Sequence, residues 1–494
     1  MGRSFPEPKQ TREGGRPRPT LAFRNSISLP SPMNESLPPR LDRLLRETPE
    51  LKEAYLVGGC VRDWLLGAPI KDFDVEVFGM DYDRLVRALA RRGRVDLVGR
   101  SFGVVKLTVG PGETYDFTLP RRDSKVAAGH RGFAVEFDPN LSTRDAAARR
   151  DFTINALMWH PVRREMLDFF GGESDLRARV LRHTSSAFDE DPLRVLRGMQ
   201  FAGRFQLTGA PETLSLCRGI ADRYSELAVE RVREEWFKWA AQSTLPSAGM
   251  RWLLASGWLV HFPELQALIG VPQDPEWHPE GDVWIHTLHC LDAMASVPAW
   301  QSADASSRQI LSFAILCHDL GKPSCTRMEE RAGHPRIVSP GHEPAGGLLT
   351  STFLARIQAQ ETLVSRVVPL VVNHLAHLQE SSARGVRRLA TRLAPATLGE
   401  LITVITADAF GRPPHPRIEP AGLVRLRAQT EELELAAHAP RPLLLGRHLL
   451  ERGQSPGPDF SRILSAAFEA QLDGEFHDLE GARRWLDAQS ASGN

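Results

Sequence analysis

Two aspartates separated by one residue mark the first place where this sequence could do chemistry. Asp72 and Asp74 stand in the alternating segment 72–78, so a β-strand there would place both carboxylates on one face. Two carboxylates held side by side repel each other unless a cation lies between them, as in phosphoryl transfer with two Mg²⁺ ions. Glu76 shares that face by periodicity, so the spacing leaves open which acids bind metal. The alternative is a solvated strand face with three acids.

A Gly-Gly pair precedes these acids. Gly58 and Gly59 follow a short apolar strand, 54–57, and come before a helix-like segment that begins at Val61. Glycine lets the backbone approach a ligand closely, and the N-terminus of a helix offers free N–H groups to phosphate. The pattern indicates an anion site, and a purely structural Gly-Gly turn is the alternative.

The second half of the chain holds a separate set of candidate metal ligands. They are His286, the adjacent pair His318-Asp319, and Asp408. Four nitrogen and oxygen ligands suit a divalent transition metal or Mg²⁺ that polarises a phosphate and activates water. His342 and His374 could complete a pocket for a phosphate or a second metal. The alternative is that each histidine is an ordinary core or surface residue.

The elements that would carry these residues change character along the chain. Up to about residue 165, short strands alternate with helices, which predicts a compact α/β or α+β unit. From about residue 185 onward the apolar spacing is almost entirely helical. The expected fold class is therefore α+β, with a mixed sheet and its helices first and all-α structure after it.

Composition narrows the class of protein. The 494 residues include 61 basic and 61 acidic side chains, which argues against coating nucleic acid by bulk charge but permits a local basic groove. No run approaches the roughly 18 apolar residues of a membrane span, and no secretory leader opens the chain. Five cysteines without CxxC spacing argue against a disulfide scaffold and predict a cytoplasmic protein.

Five short segments, in order, resemble the motifs of a known enzyme family. They are GGCVRDWLLG at 58–67 with KDFDVEVFG at 71–79, RRDFTINA at 149–156, LDFFGG with DL within 167–176, EDPLRVLR at 190–197, and ERVREE at 230–235. The family is that of the class II tRNA nucleotidyltransferases, which comprises CCA-adding enzymes and bacterial poly(A) polymerases. The resemblance implies template-independent addition of C, C and A to the 3′ end of tRNA from CTP and ATP.

The same resemblance assigns roles to individual residues. Asp72 and Asp74 would hold the catalytic Mg²⁺ ions, with Asp116 on a neighbouring strand as a third acid. The residues implied to bind the nucleotide are Gly58, Gly59, Arg62, Asp63, Arg150, Asp151, Asp191, Arg194 and Arg197. Gly58, Gly59 and Arg62 would hold the triphosphate, and Arg150 and Asp151 belong to the motif for nucleotide and ribose recognition.

Asp191 and Arg194 offer a physical means of base selection in this context. Spaced i and i+3 on a helix, the two side chains would be neighbours on one face. The carboxylate accepts from the exocyclic amine that both C and A carry, and the guanidinium donates to the ring nitrogen. The alternative is a surface salt bridge. Gln200 stands where the family usually continues its row of arginines, so the phosphate contacts or the order of addition could differ.

The histidine-containing segments carry a second resemblance. HPEGDVWIHT, WIHTLHCLDAM, AILCHDLGKP, SPGHEPAGG and TADAFGR resemble the HD phosphohydrolase domain that is fused to bacterial CCA-adding enzymes. The resemblance implies that His286, His318, Asp319 and Asp408 bind a divalent metal such as Ni²⁺, Mn²⁺ or Mg²⁺. The family's activities at this site include 2′,3′-cyclic phosphodiesterase, 2′-nucleotidase and phosphatase action.

These patterns together predict five segments. They are a disordered, basic, proline-rich arm (1–40), a nucleotidyltransferase head (41–165), a helical neck and body that selects nucleotides and binds RNA (166–265), an all-α HD domain (266–422) and a helical tail (423–494). Arg384, Arg387, Arg388 and Arg392 are expected to contact RNA or to form a solvated face.

Three alternatives to CCA addition stay open at this point. One is a poly(A) polymerase, and another is a split-task enzyme that adds only A or only CC. The third, from another class, is an RNA-binding phosphohydrolase with an inactive transferase half. The oligomeric state is also left open.

Overall fold

The computed structural model describes residues 33–99, 103–125, 133–379 and 382–491. The chain divides into two compact units. The first contains the chain up to Leu119 and the returning segment Leu157–Leu167, and the second contains Pro120–Ala156 and the chain from Asp168 onward. The predicted α+β class, a mixed sheet followed by a largely helical remainder, is confirmed. The division into five segments stays a prediction.

The strands and helices are as follows. The strands are β1 Ala54–Val57, β2 Asp74–Val77, β3 Arg94–Gly99, β4 Val104–Gly110, β5 Glu113–Thr118, β6 Arg121–Lys125, β7 Phe133–Phe137, β8 Met158–His160, β9 Glu165–Leu167, β10 Val180–Leu181, β11 Thr208–Gly209, β12 Arg327–Arg331 and β13 His334–Val338. The helices are α1 Pro39–Glu47, α2 Gly59–Leu65, α3 Tyr82–Ala90, α4 Thr143–Ala148, α5 Gly172–Ala178, α6 Leu193–Phe205, α7 Pro211–Gly219, α8 Val229–Gln242, α9 Pro246–Ala255, α10 Pro263–Gln266, α11 Val283–Ser296, α12 Pro298–Ser302, α13 Ala305–Cys317, α14 Lys322–Cys325, α15 His342–Arg356, α16 Glu361–Val372, α17 Ala383–Leu393, α18 Leu398–Phe410, α19 Ala421–Glu432, α20 Gly446–Leu450, α21 Pro458–Asp473 and α22 Leu479–Ala491.

The first unit is built on a seven-stranded sheet with the order β3-β4-β5-β2-β1-β8-β9. Strands β2 and β5 pair in parallel, whereas β1 is antiparallel to both of its neighbours. All four residues of β1 are buried, which suits an apolar strand inside a sheet covered on both faces. Asp81 begins α3, because its side chain accepts a hydrogen bond from the backbone N–H of Arg84 at 2.8 Å. The sheet therefore fixes β1, β2 and β5, which carry the predicted acids and glycines.

The second unit is mainly helical, and an aromatic cluster fills its core. The ring of Trp236 on α8 lies 4.9 Å from that of Phe262 and 5.3 Å from that of Phe353 on α15, and all three side chains are fully buried. The hairpin β12–β13 interrupts the helices and was not predicted. Its strands are rich in charged residues, but Ala332 and Gly333 both have positive φ, as a two-residue hairpin turn requires.

The last three helices form a small core of their own, whose main apolar side chains are Leu444, Leu449, Phe476 and Leu486. Ion pairs connect this segment to α17. Arg384 Nε lies 2.6 Å from Asp473 Oδ1, and Arg388 Nη2 lies 2.5 Å from Glu469 Oε2. Two of the four arginines expected to contact RNA or solvent thus pair with carboxylates of α21, which the sequence pattern did not indicate. Arg387 donates to the carbonyl of Leu472, and Arg392 donates to Asn373 Oδ1.

Three expectations about the chain as a whole meet the structure here. Of the predicted arm, residues 1–32 lie outside the described residues, and residues 33–36 form a short 3-10 helix whose Met33 is fully buried. All five cysteines are free, as expected. Among the described residues no single helix is long and apolar enough to cross a membrane, although α17 and α18, which meet at 96°, pass that test as a bent pair.

Candidate active sites

The predicted catalytic acids lie on two neighbouring strands of the first unit. Asp74 opens β2 and is the register partner of Asp116 on the parallel strand β5. Asp72 is exposed and lies before the strand, so the predicted strand face that carries both Asp72 and Asp74 is wrong, because β2 begins two residues later. Glu76, which shares the face of Asp74, is only 8% exposed. The structure thus brings Asp74 and Asp116 together, with Asp72 next in the chain.

The carboxylates in this region could bind a cation, and a lysine lies beside one of them. Lys106 on β4 is the antiparallel register partner of Asp116, and its Nζ lies 3.1 Å from that carboxylate. The ammonium of Lys106 thus pairs with one carboxylate of a region that also holds Asp72 and Asp74. Exposed carboxylate oxygens are the ligands that Mg²⁺ prefers, so the donor set fits such an ion. Sequence analysis missed Lys106, because strand register cannot be read from spacing.

The Gly-Gly turn links β1 to α2. Gly58 has a φ of +69°, a conformation that side chains other than glycine rarely adopt, and its N–H donates to the carbonyl of Leu157 at 3.2 Å. Gly59 is the first residue of α2. Arg62 and Asp63 are both buried, with Arg62 Nη2 2.6 Å from Asp63 Oδ1. These two predicted nucleotide ligands therefore pair with each other behind the turn.

Asp151 and Arg197 form a partly buried ion pair in the second unit. Asp151 is 7% exposed, and its carboxylate accepts from Arg197 Nε at 2.7 Å, Asn155 Nδ2 at 2.9 Å and the N–H of Phe152 at 2.8 Å. Burial alone would raise the pKa of Asp151, but Arg197 and these hydrogen bonds hold the pKa below its usual value. Arg150, its neighbour in the chain, is half-buried.

The sequence predicted that Asp191 and Arg194 lie on one face of a helix, but Asp191 lies outside the helix that contains Arg194. Asp191 has an extended backbone and α6 begins only at Leu193, because the residue before a proline is pushed out of the helical region. Its carboxylate binds Arg231 of α8, at 2.7 Å from Nη2 and 3.3 Å from Nη1. Arg194 instead donates to the carbonyls of Ala187 and Arg149. Arg231 lies in the fifth motif, which was the available signal for it.

Gln200, the departure from the family's row of arginines, lies inside α6. Its side chain is only 3% exposed. It is therefore packed within the second unit, where an arginine would carry a buried charge.

The predicted HD ligands come together from three helices. His286 lies on α11, His318 and Asp319 directly follow α13, and Asp408 lies on α18. His286 Nε2 lies 3.3 Å from His318 Nε2 and 3.1 Å from Asp408 Oδ1, and Asp319 Oδ2 lies 3.2 Å from His318 Nε2. None of the four residues is more than 2% exposed. We call these four residues group 1.

The other carboxylate oxygen of Asp319 faces two more histidines. Oδ1 lies 3.5 Å from His342 Nε2 and 3.9 Å from His374 Nε2, and those two nitrogens are 3.3 Å apart. We call Asp319, His342 and His374 group 2. Asp319 is thus shared, with one oxygen directed to each group, which is the geometry of a bridging carboxylate.

Backbone carbonyls fix the orientation of three of these imidazoles. The Nδ1 atoms of His318, His342 and His374 donate to the carbonyls of Ile315, Ser339 and Val371 at 2.7, 2.6 and 2.7 Å. A carbonyl only accepts, so each Nδ1 carries a proton, and each Nε2 offers a lone pair to a metal when its ring is neutral. Lone pairs that face each other at 3.3 Å repel unless a cation lies between them. The donor set in both groups therefore fits a divalent metal.

Glu280 orients the fourth imidazole, and sequence analysis missed it. Its Oε1 accepts from His286 Nδ1 at 2.7 Å and from His278 Nδ1 at 2.9 Å, and the carboxylate is fully buried. Burial alone would raise the pKa of Glu280, but the two histidine hydrogen bonds lower it to about 2. Glu280 lies in the loop before α11, where no helix or strand periodicity indicates that it orients a histidine.

The buried carboxylates of this site outnumber its permanent cations, so a bound metal ion could balance the remaining negative charge. Lys322 Nζ lies 2.8 Å from Asp319 Oδ2, and Arg412 Nη2 lies 2.7 Å from Asp408 Oδ1. Burial would raise the pKa of Asp319, but His318 and Lys322 hold it well below its usual range. Three buried carboxylates, those of Glu280, Asp319 and Asp408, are thus matched by two permanent cations. The groups open onto a cavity of about 400 Å³.

Comparisons with known proteins give the family. The Poly A polymerase head domain matches residues 54–182. The Multifunctional CCA protein of Nitrosococcus oceani is 36% identical over 369 residues, which cover 73% of this chain and 85% of the relative. That of Methylococcus capsulatus is 38% identical over 373 residues, with 73% and 82% coverage.

Solved structures agree at the level of the fold. The Bacillus stearothermophilus CCA-adding enzyme in complex with CTP superposes with a TM-score of 0.62 at 21% identity, covering 92% of this chain and 99% of that one. The Thermotoga maritima CCA-adding enzyme complexed with tRNA gives 0.56 at 17%, with 92% and 97% coverage. From the curated relatives we conclude that this chain belongs to the family of CCA-adding tRNA nucleotidyltransferases.

Proposed function

We propose that the chain adds C, C and A to the 3′ end of tRNA from CTP and ATP. The observation that carries this proposal is the parallel register of Asp74 with Asp116, one strand away from the Gly58 turn, in a chain of this family. The relatives named above supply the substrates, since one is bound to CTP and another to tRNA.

The residues of the first unit would have separate roles in phosphoryl transfer. Mg²⁺, when bound, would activate the tRNA 3′-hydroxyl and neutralise the pyrophosphate leaving group. Asp72, Asp74 and Asp116 would hold it through their carboxylate oxygens. Lys106 keeps the side chain of Asp116 in place. The backbone of the Gly58-Gly59 turn would approach the triphosphate.

Base selection would rest on the second unit. A carboxylate offers about four acceptor positions, and three at Asp191 are used, two by Arg231 and one by the N–H of Leu193 at 3.1 Å. One position on Oδ2 remains for the exocyclic amine of C or A. Arg150, Asp151, Arg194 and Arg197 of the same unit would also contact the nucleotide, with the Asp151–Arg197 pair as a rigid support.

The sizes of the reaction products test this assignment against its rivals. A tRNA that lacks its 3′ end should be extended by three nucleotides and no further with CTP, ATP and Mg²⁺. A ladder of adenylates would support a poly(A) polymerase, and products with CC alone or A alone would support a split-task enzyme.

We further propose that the buried histidine site is a phosphohydrolase centre of the HD type with two divalent metals. The shared carboxylate of Asp319 between group 1 and group 2 carries this proposal. A metal in each group would polarise a phosphate and activate water, while Lys322 and Arg412 lie near the cavity to attract the ester's charge. The metal would be Ni²⁺, Mn²⁺ or Mg²⁺, and the substrates 2′,3′-cyclic phosphates or phosphomonoesters.

Separating the two activities tests the two-site assignment. Asp72→Ala should abolish nucleotide addition and leave the hydrolysis of phosphate esters unchanged, because the residue contributes nothing to the second unit. Asp408→Ala should have the opposite effect. Loss of both activities in either variant, with the fold intact, would contradict the assignment. Intact hydrolysis without any nucleotide addition in the wild type would favour the phosphohydrolase with an inactive transferase half.

A further inference from the structure

The mouth of the cavity beside groups 1 and 2 is apolar and unusually exposed. Trp277 and Leu378 both line it, and their side chains are 60% and 69% exposed. They come from distant parts of the chain, Trp277 from the loop before α11 and Leu378 from the 3-10 helix Ala376–Leu378. Within the described residues, no hydrogen bond, ion pair or ring contact involves the Trp277 side chain. An indole ring thus stands free at the entrance to the cavity that Asp319, His342, His374 and Asp408 line.

The turn that carries Trp277 is firmly braced. The N–H groups of Trp277 and His278 both donate to the carbonyl of Asp274, at 3.1 and 2.8 Å. The Asp274 side chain is 8% exposed and lies 2.6 Å from Arg336 Nε. Because the backbone is fixed on both sides of the ring, a flat ligand could stack on the indole without first ordering the loop.

We propose that Trp277, with Leu378, forms a platform on which a nucleobase stacks, so that the indole is the residue that makes the phosphohydrolase site favour nucleoside phosphates over phosphate esters that have no base. This inference rests on the proposed phosphohydrolase function. The phosphate would lie toward groups 1 and 2, near Lys322 and Arg412, and the base would lie against the indole at the mouth. A volume of about 400 Å³ falls in the range of ligand pockets, roughly 300–1,000 Å³.

Stacking explains the composition of the mouth better than base-edge recognition does. The cavity lining includes Ile337, Leu375 and Pro420, whose side chains offer no donor or acceptor to a base. Its polar residues Gln273, Asp274 and Ser339 are engaged with Lys322, Arg336 and Thr326 respectively. Aromatic stacking tolerates every base, since each has a π-face. A site of this kind accepts any terminal nucleotide, which suits an enzyme that meets RNA 3′ ends of differing sequence.

Kinetics on two substrates test the platform. Wild-type protein and the variants Trp277→Ala, Trp277→Phe and Leu348→Ala are assayed with Mn²⁺ on adenosine 2′-phosphate and on glycerol 2-phosphate, which has no base. Trp277→Ala should raise KM for adenosine 2′-phosphate about tenfold, leave kcat unchanged and leave glycerol 2-phosphate hydrolysis unaffected. Trp277→Phe should restore most of the affinity. Leu348, 75% exposed on α15 outside the cavity, is the matched control and should have no effect.

A binding measurement separates this inference from the function on which it rests. Equilibrium dialysis of adenosine 2′-phosphate with Mn²⁺-loaded protein should give a Kd about tenfold higher for Trp277→Ala than for wild type. Binding that follows this pattern without hydrolysis would overturn the phosphohydrolase and leave the platform supported. Equal Kd values, or an equal loss on both substrates, would overturn the platform.

Discussion

Replacing Glu280 by glutamine should weaken metal binding at the histidine site without disturbing the fold. The carboxylate accepts from Nδ1 of His286 and of His278, so it fixes His286 with its Nε2 lone pair directed at group 1. Glutamine has nearly the same shape and keeps one oxygen acceptor, but it lacks the charge. The substitution therefore isolates the electrostatic part of the contact.

The expected loss of metal affinity follows from the hydrogen bond between Glu280 and His286, because His286 is the predicted metal ligand of the two histidines. A hydrogen bond to a charged group contributes about 1.5–3 kcal/mol, and a neutral one about 1 kcal/mol. The loss at His286 is then about 0.5–2 kcal/mol, which corresponds to a rise of roughly 2- to 30-fold in the Kd for the metal. Glu280→Ala removes the acceptor altogether, and we expect a loss nearer 100-fold, the upper range for residues that orient a metal ligand.

Titration of metal-free protein with Mn²⁺, followed by the electron paramagnetic resonance of free Mn²⁺, measures these constants. All proteins in the series carry Asp72→Asn and Asp74→Asn, so that the transferase site does not contribute. Glu276→Gln is the matched control, since Glu276 lies in the same loop but its side chain is 63% exposed. Wild-type affinity in Glu280→Gln and Glu280→Ala would refute the orienting role.

Three further predictions concern the transferase and its nucleotide pocket. Asp74→Asn should abolish nucleotide addition and spare ester hydrolysis, as measured by extension gels and phosphate release on one preparation. Arg231→Ala should weaken the selectivity for C and A over U and G, because the Asp191 carboxylate loses its main donor. Extension assays with single nucleotides measure this selectivity, and an unchanged selectivity would mean that Arg231 does not orient Asp191. Asp151→Asn should lower the free energy of unfolding at pH 7 by about 1–3 kcal/mol. Because Arg197 keeps the pKa of Asp151 below its usual value, this stabilisation is present above about pH 4 and is lost as the pH falls further. In urea unfolding at several pH values, the free energies of unfolding of the wild type and the variant should therefore converge toward low pH. A difference that stays constant with pH would contradict the assignment.

The acids of the transferase site show what a sequence pattern can and cannot establish. The alternation after Asp72 indicated a strand with carboxylates, and β2 is there, but it begins at Asp74. The pairing of Asp74 with Asp116 depends on strand register between distant segments, which no local pattern contains. The contact of Lys106 with Asp116 follows from the same register.

Other differences had different physical causes. The extended backbone of Asp191 could have been read from Pro192, since proline restricts the residue before it. Glu280 has no periodic signature, because it is a buried acceptor in a loop, and its place in the segment HPEGDVWIHT was the only available signal for it. The arginines of α17 could have contacted RNA by their sequence pattern, but Arg384 and Arg388 have carboxylate partners in α21, and only the fold shows that these segments meet.

The central claim is that this chain completes tRNA 3′ ends with C, C and A, and product sizing tests it most directly. Purified protein, Mg²⁺, CTP and ATP are incubated with tRNA that ends before the CCA, and the products are resolved at single-nucleotide resolution. The account predicts extension by three nucleotides and then arrest, with CTP alone giving two. A continuing adenylate ladder, or no extension at all, would contradict it.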